Sequence, residues 1–402
     1  MKPSIDVGFA ALTPADIVFP AFLVCWLVGV ATGIFKFKWR PEFWTFVFYF
    51  LALLISAIFS VNPSLSFAKL AGASYLILLA VTAPNVASTL GRLRLTSLAW
   101  VAGSSIPLIA ALVGIVLFYA APGSSWLPEL TNHYGAVPVG NFPRINSTFV
   151  SPSMFCNYLT ATLMLTLISV RIGWLGQRTA SAVVVAIGVA ALFTVSIALG
   201  GLILAAGLWV WIDSSRKIFS RVALGTATAI GVAFLLMAPF ALLPRSGESH
   251  FELWPISRFV PSSRFLVWSD SLATFLSDPI TGKGVGTAVA GVKFQNYDGS
   301  WSMLTDAHNI FLSVAAQAGI LGLASVVAIV IVVLRSALSK HEDGELSVIR
   351  TGLAVAFLCA FVYDGMTSSF EDARHLWVLI GLIVAAKYLE DEPGESVSSD
   401  SI

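Results

Sequence analysis

An all-α fold of transmembrane helices is what this sequence predicts, on three observations. The 402 residues are 57% hydrophobic and only 11% charged, where a soluble chain carries about 25% charged residues. Uncharged apolar runs of roughly 17 to 25 residues, long enough to cross a hydrocarbon core as helices, recur along the chain. The basic residues gather in alternate connections between those runs. So few charges cannot cover the exterior of a water-soluble globule of this size, and lipid must solvate much of it. With 23 Lys and Arg against 22 Asp and Glu, the chain lacks the basic surplus on which binding to phosphate backbones depends, and nucleic acid is not expected as a partner. Cys25, Cys156 and Cys359 each lie in an apolar run, which points away from a disulfide framework or a thiolate metal site.

The runs read in order as spans near Ile17 to Phe35, Phe43 to Val61, Phe67 to Ala83, Leu95 to Ala121 and Pro152 to Val170. From Ala180 to Ile212 the chain is also apolar, but one straight helix there would be about 50 Å long at 1.5 Å per residue, against roughly 30 Å of hydrocarbon. Two short passes meeting near Ser196 to Gly201 fit better. Val222 to Leu243, Asn309 to Leu334, Thr351 to Phe361 and beyond, and Leu376 to Ala386 bring the expected number to about eleven, in a range of ten to twelve. Residues 1–389 thus form a single transmembrane domain, and the Ser-, Glu- and Asp-rich tail at 390–402 is expected to be disordered. The first apolar segment lacks a basic start and a small-residue cleavage site and is long enough to stay as a span, so no cleavable signal peptide is expected.

Orientation follows from charge. Lys36, Lys38 and Arg40, then Arg92 and Arg94, Arg171 and Arg178, Arg216, Lys217 and Arg221, and Arg335, Lys340 and Arg350 occupy alternate connections; with Lys387 they make 14 of the 23 basic residues. The positive-inside rule places them, and the tail, in the cytoplasm. Polar residues outside the tails concentrate in two outward segments, 122–151 and 244–307, the only places with room for a site. Against the charge trend, the longer one holds Arg245, Arg258, Arg264, Lys283 and Lys293. Long loops translocate regardless of charge, so length alone can account for them. The functional reading is an anionic ligand at the outer surface, because the planar fork of an arginine matches phosphate oxygens.

Within the long segment, Arg264 through Trp268 to Asp278 reads as an amphipathic helix, followed by a turn with Pro279, Gly282, Gly284 and Gly286. Taken singly, such glycines and prolines terminate helices. Trp254, Phe259, Trp268, Tyr297 and Trp301 suit anchoring at lipid headgroups, with sugar stacking as the alternative. Thr305 or Asp306 is expected to cap the next helix, whose N-terminus disfavours a charged imidazole at His308. A neutral His308 can take a proton from a hydroxyl, the task of a general base; the plainer reading is an interfacial histidine satisfied by its neighbours. His133, His250 and His375 also face outward and read singly as structural. Glu371, Asp372 and Arg374 form either a solvated salt bridge or a group that orients such a hydroxyl or the histidine. Neither a nucleotide-binding glycine loop nor the internal repeat common in carriers is evident.

The stretch Arg264-Phe-Leu-Val-Trp268, then Asp278-Pro279 with Gly282, Gly284 and Gly286, followed by Asp306-Ala-His308-Asn309-Ile-Phe-Leu312 and Gly319-Ile-Leu-Gly322, resembles the O-antigen ligase and polymerase superfamily of bacterial membrane glycosyltransferases. The similarity is strongest from about Pro143 to Leu334, and a shorter echo is Arg144 followed by Phe149, Ser151, Pro152 and Asn157. The resemblance implies a helical fold of the polyprenyl-dependent glycosyltransferase type in the bacterial inner membrane, with its active site facing the periplasm. It implies transfer of a glycan from undecaprenyl pyrophosphate to an acceptor hydroxyl without nucleotide, metal or other cofactor. For a ligase the acceptor is lipid A core; for an O-antigen or exopolysaccharide polymerase it is a second lipid-linked glycan. His308 matches the family histidine that assists the acceptor, and Arg264 an arginine that holds the donor pyrophosphate. Arg144, Arg245 and Arg258 add cations for the leaving group, with Asp306 and Arg374 as further substrate-binding candidates.

One departure stands out. Family members often carry an arginine in the turn between the two short middle spans, which here reads Ser196-Ile-Ala-Leu-Gly200. Either Arg144 or Arg245 takes over that phosphate contact, or the protein handles its donor differently. A reading from another class, a transporter or flippase of an anionic lipid or glycolipid, would use the same arginines for binding alone.

Overall fold

A computed structural model describes residues 5–6, 11–12, 14–132, 143–213, 217–236, 240–242, 251–253, 257–261, 263–295, 301–338, 344–366 and 373–389. The fold is all-α, with a few short strands. In chain order the helices are α1 (Pro14–Ala31), α2 (Phe43–Ile58), α3 (Pro63–Val86), α4 (Leu90–Gly103), α5 (Ser105–Ala120), α6 (Leu127–Leu130) and α7 (Pro152–Arg171). They continue as α8 (Gln177–Leu192), α9 (Leu199–Asp213), α10 (Lys217–Leu236), α11 (Ser263–Ser277), α12 (Ile310–Ala337), α13 (Glu345–Asp364) and α14 (Arg374–Tyr388). Strands β1 (Ile5–Asp6) and β2 (Ala11–Leu12) pair near the start, β3 (Phe240–Leu242), β4 (Phe251–Leu253) and β5 (Ser257–Pro261) form a sheet in the order β3-β5-β4, and β6 (Val292–Gln295) pairs with β7 (Trp301–Leu304).

Every apolar run identified in the sequence contains a helix. Five of these, Pro63–Val86, Leu90–Ala120, Pro152–Arg171, Ile310–Ala337 and Glu345–Asp364, are long and apolar enough to cross a membrane, and several shorter apolar helices accompany them. This is the pattern of a multi-pass membrane protein. Local signals set the helix starts. The Asn62 side chain accepts from the Leu65 N–H ahead of Pro63, Thr89 accepts from Arg92, and Ser151 accepts from Met154 ahead of Pro152, each filling an orphan donor of a first turn.

The Ala180 to Ile212 stretch divides as the bilayer thickness demands, into α8 and α9, with the turn at residues 193–198. The run Leu95 to Ala121 remains one apolar span, Leu90–Ala120, made of α4 and α5 meeting at Ser104, whose hydroxyl donates to the Val101 carbonyl, with Pro107 following without an N–H. Two expectations need correction. Segment 244–307 carries β4 to β7 beside its expected helix, because strand pairing between distant short runs leaves no helical periodicity to read. The cap of α12 is Asn309, whose Oδ1 accepts from the Phe311 and Leu312 N–H groups, and not Thr305 or Asp306. Residues Arg245, His133, His250, Trp254, Tyr297, Glu371, Asp372 and the tail at 390–402 lie outside the described residues.

One end of the bundle is clasped by charge. Lys387 Nζ donates to Glu42 Oε1 at 2.6 Å, Tyr388 and Ser336 donate to the same carboxylate, and Arg350 donates to the carbonyls of Ala386 and Lys387. This joins the start of α2 to the ends of α12 and α14 and to the start of α13, and it is the end that the positive-inside rule assigns to the cytoplasm. The opposite end is built around a kink in α12. Gly319 adopts φ 63° inside the helix. The carbonyls that lose helical partners there are taken up by the turn after α11: Lys283 N–H donates to Ala316 O at 2.9 Å and Gly284 N–H to Gln317 O at 3.0 Å. The Ile320 N–H donates to Pro279 O at 2.8 Å, and Ser56 of α2 adds a hydroxyl to Gln317 O at 2.7 Å. A kink is tolerated in an apolar surrounding only when its freed backbone groups are satisfied in this way.

Gly282, at φ 67°, faces the kink so closely that an added Cβ would run into the Gln317 carbonyl, while a Cβ on Gly319 would run into that of Ile280. The glycines are therefore required for backbone approach and not merely to end a helix. Gly319→Ala is expected to destabilise the protein by about 1–3 kcal/mol or more, combining a left-handed backbone with a clash. Gly72→Ala, inside α3 with open space around its Cβ, should keep or raise stability, by up to about 1 kcal/mol. Thermal unfolding in detergent compares the two.

Candidate functional site

Four segments converge at the kinked end: residues 143–149, the turn between α8 and α9, the start of α11, and residues 306–310 with the end of α13. The first is held on both sides. Ile145 N–H donates to Phe193 O at 2.8 Å, Asn146 N–H to Leu130 O at 3.1 Å, and the Ser147 hydroxyl to Pro107 O at 2.6 Å. That places Arg144 against the α8–α9 turn, where its Nε donates to Thr194 O at 3.4 Å. Arg264, in the first turn of α11, donates from Nη1 to Met366 O at 3.1 Å. Gly365, beside it at the end of α13, accepts the first N–H of α12 from Ile310 at 2.9 Å.

The charges act on one another in sequence, Arg144 on Arg264 and Arg264 on His308. Burial holds Arg264 down at about 10, and the charge of Arg144 adds to the effect. Burial likewise lowers Arg144. Both remain cations near neutral pH. For His308 burial is again the largest cause of a pKa below the ordinary imidazole value; the Asp306 carboxylate opposes the shift and the Arg264 guanidinium adds to it. The shift runs toward the neutral form, and its causes are desolvation and a nearby cation.

His308 is also strained. Among the described residues, Ser147, Val195 and His308 have left-handed backbones without being glycine, with φ of 55°, 44° and 47°, and all three lie in the converging segments. Each such residue costs of order 1–3 kcal/mol and persists only where surroundings fix it. Behind His308 runs a chain of polar contacts. Asp306 Oδ2 stands 3.8 Å from His308 Nδ1, an ion-pair separation too long for a hydrogen bond. Asp306 Oδ1 accepts from Ser313 at 3.2 Å, Ser313 accepts from Gln317 Nε2 at 3.0 Å, and Gln317 Oε1 accepts the Gly286 N–H at 2.6 Å. The glycine turn is thereby tied to the carboxylate that faces the imidazole. One helical turn along α11 from Arg264, the Trp268 indole N–H is buried without a hydrogen-bond partner, a donor left over on the same helix.

Of the sequence candidates, Arg264, Arg144, His308 and Asp306 come together. Arg258 lies in β5, its Cα paired with that of Glu252, and Arg245 lies outside the described residues. Arg374 stands at the start of α14 with its guanidinium 5.5 Å over the Tyr75 ring, where it lines a separate cavity with His375. Sequence reasoning missed Asp364. It is fully buried, and its Oδ1 accepts from Asn157 Nδ2 at 2.8 Å, directly before the residues that receive Ile310 and Arg264. The available signal was a lone carboxylate at the end of an apolar run, which lipid surroundings make costly unless it is paired. Gln317 and Ser313 were equally silent, since their roles exist only through contacts distant in sequence.

No protein-family model and no curated protein matches this chain. The electrostatic assignment is checked on the imidazole itself. Arg264→Gln removes a charge that lowers its pKa, so the His308 titration midpoint should rise; Asp306→Asn removes one that raises it, so the midpoint should fall. Isotope-edited histidine NMR of detergent-solubilised protein reads both shifts.

Proposed function

We propose that this chain is a glycosyltransferase that moves a glycan from undecaprenyl pyrophosphate to an acceptor hydroxyl at the periplasmic face of a bacterial inner membrane, of the O-antigen ligase type with lipid A core as acceptor. The reading takes the bundle as about eleven passes, with the clasped basic end in the cytoplasm. Its single carrying observation is that the half-buried Arg264 guanidinium lies near both a second guanidinium, that of Arg144, and an imidazole whose pKa it helps to lower, that of His308. Two neighbouring guanidinium groups suit an anion of more than one charge, and a diphosphate ester fits that need.

The chemistry follows from the residue types. His308 accepts the proton of the acceptor hydroxyl as its oxygen attacks the anomeric carbon. The bond from that carbon to the pyrophosphate oxygen breaks, and the electron pair leaves with the carrier pyrophosphate. Arg264 and Arg144 stabilise the charge that develops there, so the leaving group needs no carboxylic acid. Attack opposite the leaving group inverts the anomeric centre, which NMR of the product would show. The Trp268 N–H is suited to a sugar or phosphate oxygen. Arg144 lies against the turn where related enzymes often carry an arginine, and it is suited to take over that phosphate contact.

His308→Asn keeps a residue tolerant of left-handed backbone while removing the base, and should lower transfer by about 10²- to 10⁴-fold with carrier binding retained. Purified protein incubated with a polyprenyl-pyrophosphate glycan and candidate acceptors, followed by mass spectrometry, measures this. Glycan on lipid A core is the expected product, longer lipid-linked chains would mean a polymerase, and flux across proteoliposomes without new glycosidic bonds would mean a transporter. Because the base must be neutral and its pKa is lowered, the rate should hold as pH falls through about 6.5, the ordinary imidazole value, and decline only below it. A rate that falls with a midpoint above that value would contradict the assignment.

A further inference from the structure

A second feature of the outer end takes no part in the proposed reaction. Between α1 and the flank formed by α3, α4, α7 and α14 lies a cavity of about 670 Å³, within the range of about 300–1,000 Å³ usual for ligand sites. Its walls are apolar and aromatic, with Phe19, Tyr75, Trp100 and Tyr158 among them, and its charged and basic members are Arg374 and His375. Phe19 meets Tyr75 edge to face at 4.7 Å, which ties α1 to α3 beside the cavity that both rings line. Val18 and Phe22, which also line the cavity, are 66% and 41% exposed. The wall made by α1 therefore opens sideways, toward the bilayer.

Water gains few partners in such a space, and an unfilled apolar void forfeits the contacts of its lining. In a membrane the material at hand is hydrocarbon chain. The polar end of the cavity narrows the choice. Arg374 brings a permanent positive charge, steadied over the Tyr75 ring, and the buried His375 Nε2 has no hydrogen-bond partner. Both suit a phosphate or ester oxygen. We infer that the cavity seats an acyl chain of an anionic glycerophospholipid of the surrounding bilayer, its phosphate on Arg374 and its ester region beside His375. The inference stands independently of the glycosyl-transfer reading. Phe149 and Met154 line the same cavity and flank the segment that carries Arg144, so the bound chain also braces that segment from behind.

Native mass spectrometry of the full chain with dioleoyl-phosphatidylglycerol and dioleoyl-phosphatidylcholine tests this. The wild type should retain phosphatidylglycerol with at least about tenfold preference, equivalent to about 1.4 kcal/mol. Gly103→Trp projects a ring from a cavity-lining position with open space around its Cβ, and should lose that lipid at least tenfold. Gly188→Trp, also in open space but on α8, which adds nothing to the cavity lining, should bind as wild type, and Arg374→Gln should bind both phospholipids alike. Unchanged binding in Gly103→Trp, no preference in the wild type, or displacement by undecaprenyl phosphate at this cavity would overturn the proposal. Should Gly103→Trp fail to fold, a phosphatidylglycerol carrying a diazirine on its acyl chain decides the matter in wild type. Crosslinks to Tyr75, Trp100 or Tyr158 are expected, and crosslinks confined to lipid-exposed faces outside the cavity would overturn it.

Discussion

Keeping two guanidinium groups near each other where water is scarce is the constraint on which the kinked end depends. Burial alone disfavours each charge, and Arg144 makes Arg264 less favourable still. Left to relax, such a pair would separate or draw in an anion. Here each is anchored to a backbone carbonyl, Arg264 to Met366 and Arg144 to Thr194. Those carbonyls belong to segments fixed by their own contacts. The strain at Ser147, Val195 and His308 fits the same picture, since left-handed backbone is held only where the neighbouring structure leaves no alternative.

What makes that end rigid is an exchange of hydrogen bonds between a broken helix and a glycine turn. The kink at Gly319 releases carbonyls and an N–H that lipid cannot satisfy, and residues Pro279 to Gly284 take them up, with Ser56 adding a hydroxyl from α2. The same turn reaches Gln317 and, through Ser313, the carboxylate facing His308. Structural backbone chemistry and the electrostatics of the imidazole are thus one network. At the opposite end, the clasp on Glu42 locks α2, α12 and α14 together, so the site is carried on helices fixed at both ends.

The helices were legible because hydropathy reports the solvent directly: an apolar run in lipid must satisfy its backbone internally. Even the division of Ala180 to Ile212 follows from comparing its length with the thickness of hydrocarbon. Arg264 and His308 were legible by residue type, as a cation against the charge trend and an imidazole at a helix start. The rest was not, for a common reason. Asn157 and Asp364 are 207 residues apart, and Ser56 and Gln317 are 261 apart; no local pattern announces either meeting. Arg374 has the same chemistry as Arg144 and reads alike in sequence, yet it belongs to the lipid-facing cavity because α14 begins there. The Asn309 cap was misread because the chain reverses into left-handed backbone at His308, which shifts the first helical N–H past Asp306.

The central claim is that Arg144 and Arg264 act together on one multiply charged phosphate. Its most direct measurement is a double-substitution cycle in which farnesyl pyrophosphate binding is compared for wild type, Arg144→Gln, Arg264→Gln and the double variant. Each single change should weaken binding by about tenfold or more, and the two losses should fail to add, as expected for cations sharing a ligand. Affinity unchanged in either single variant, or strictly additive losses, would contradict it.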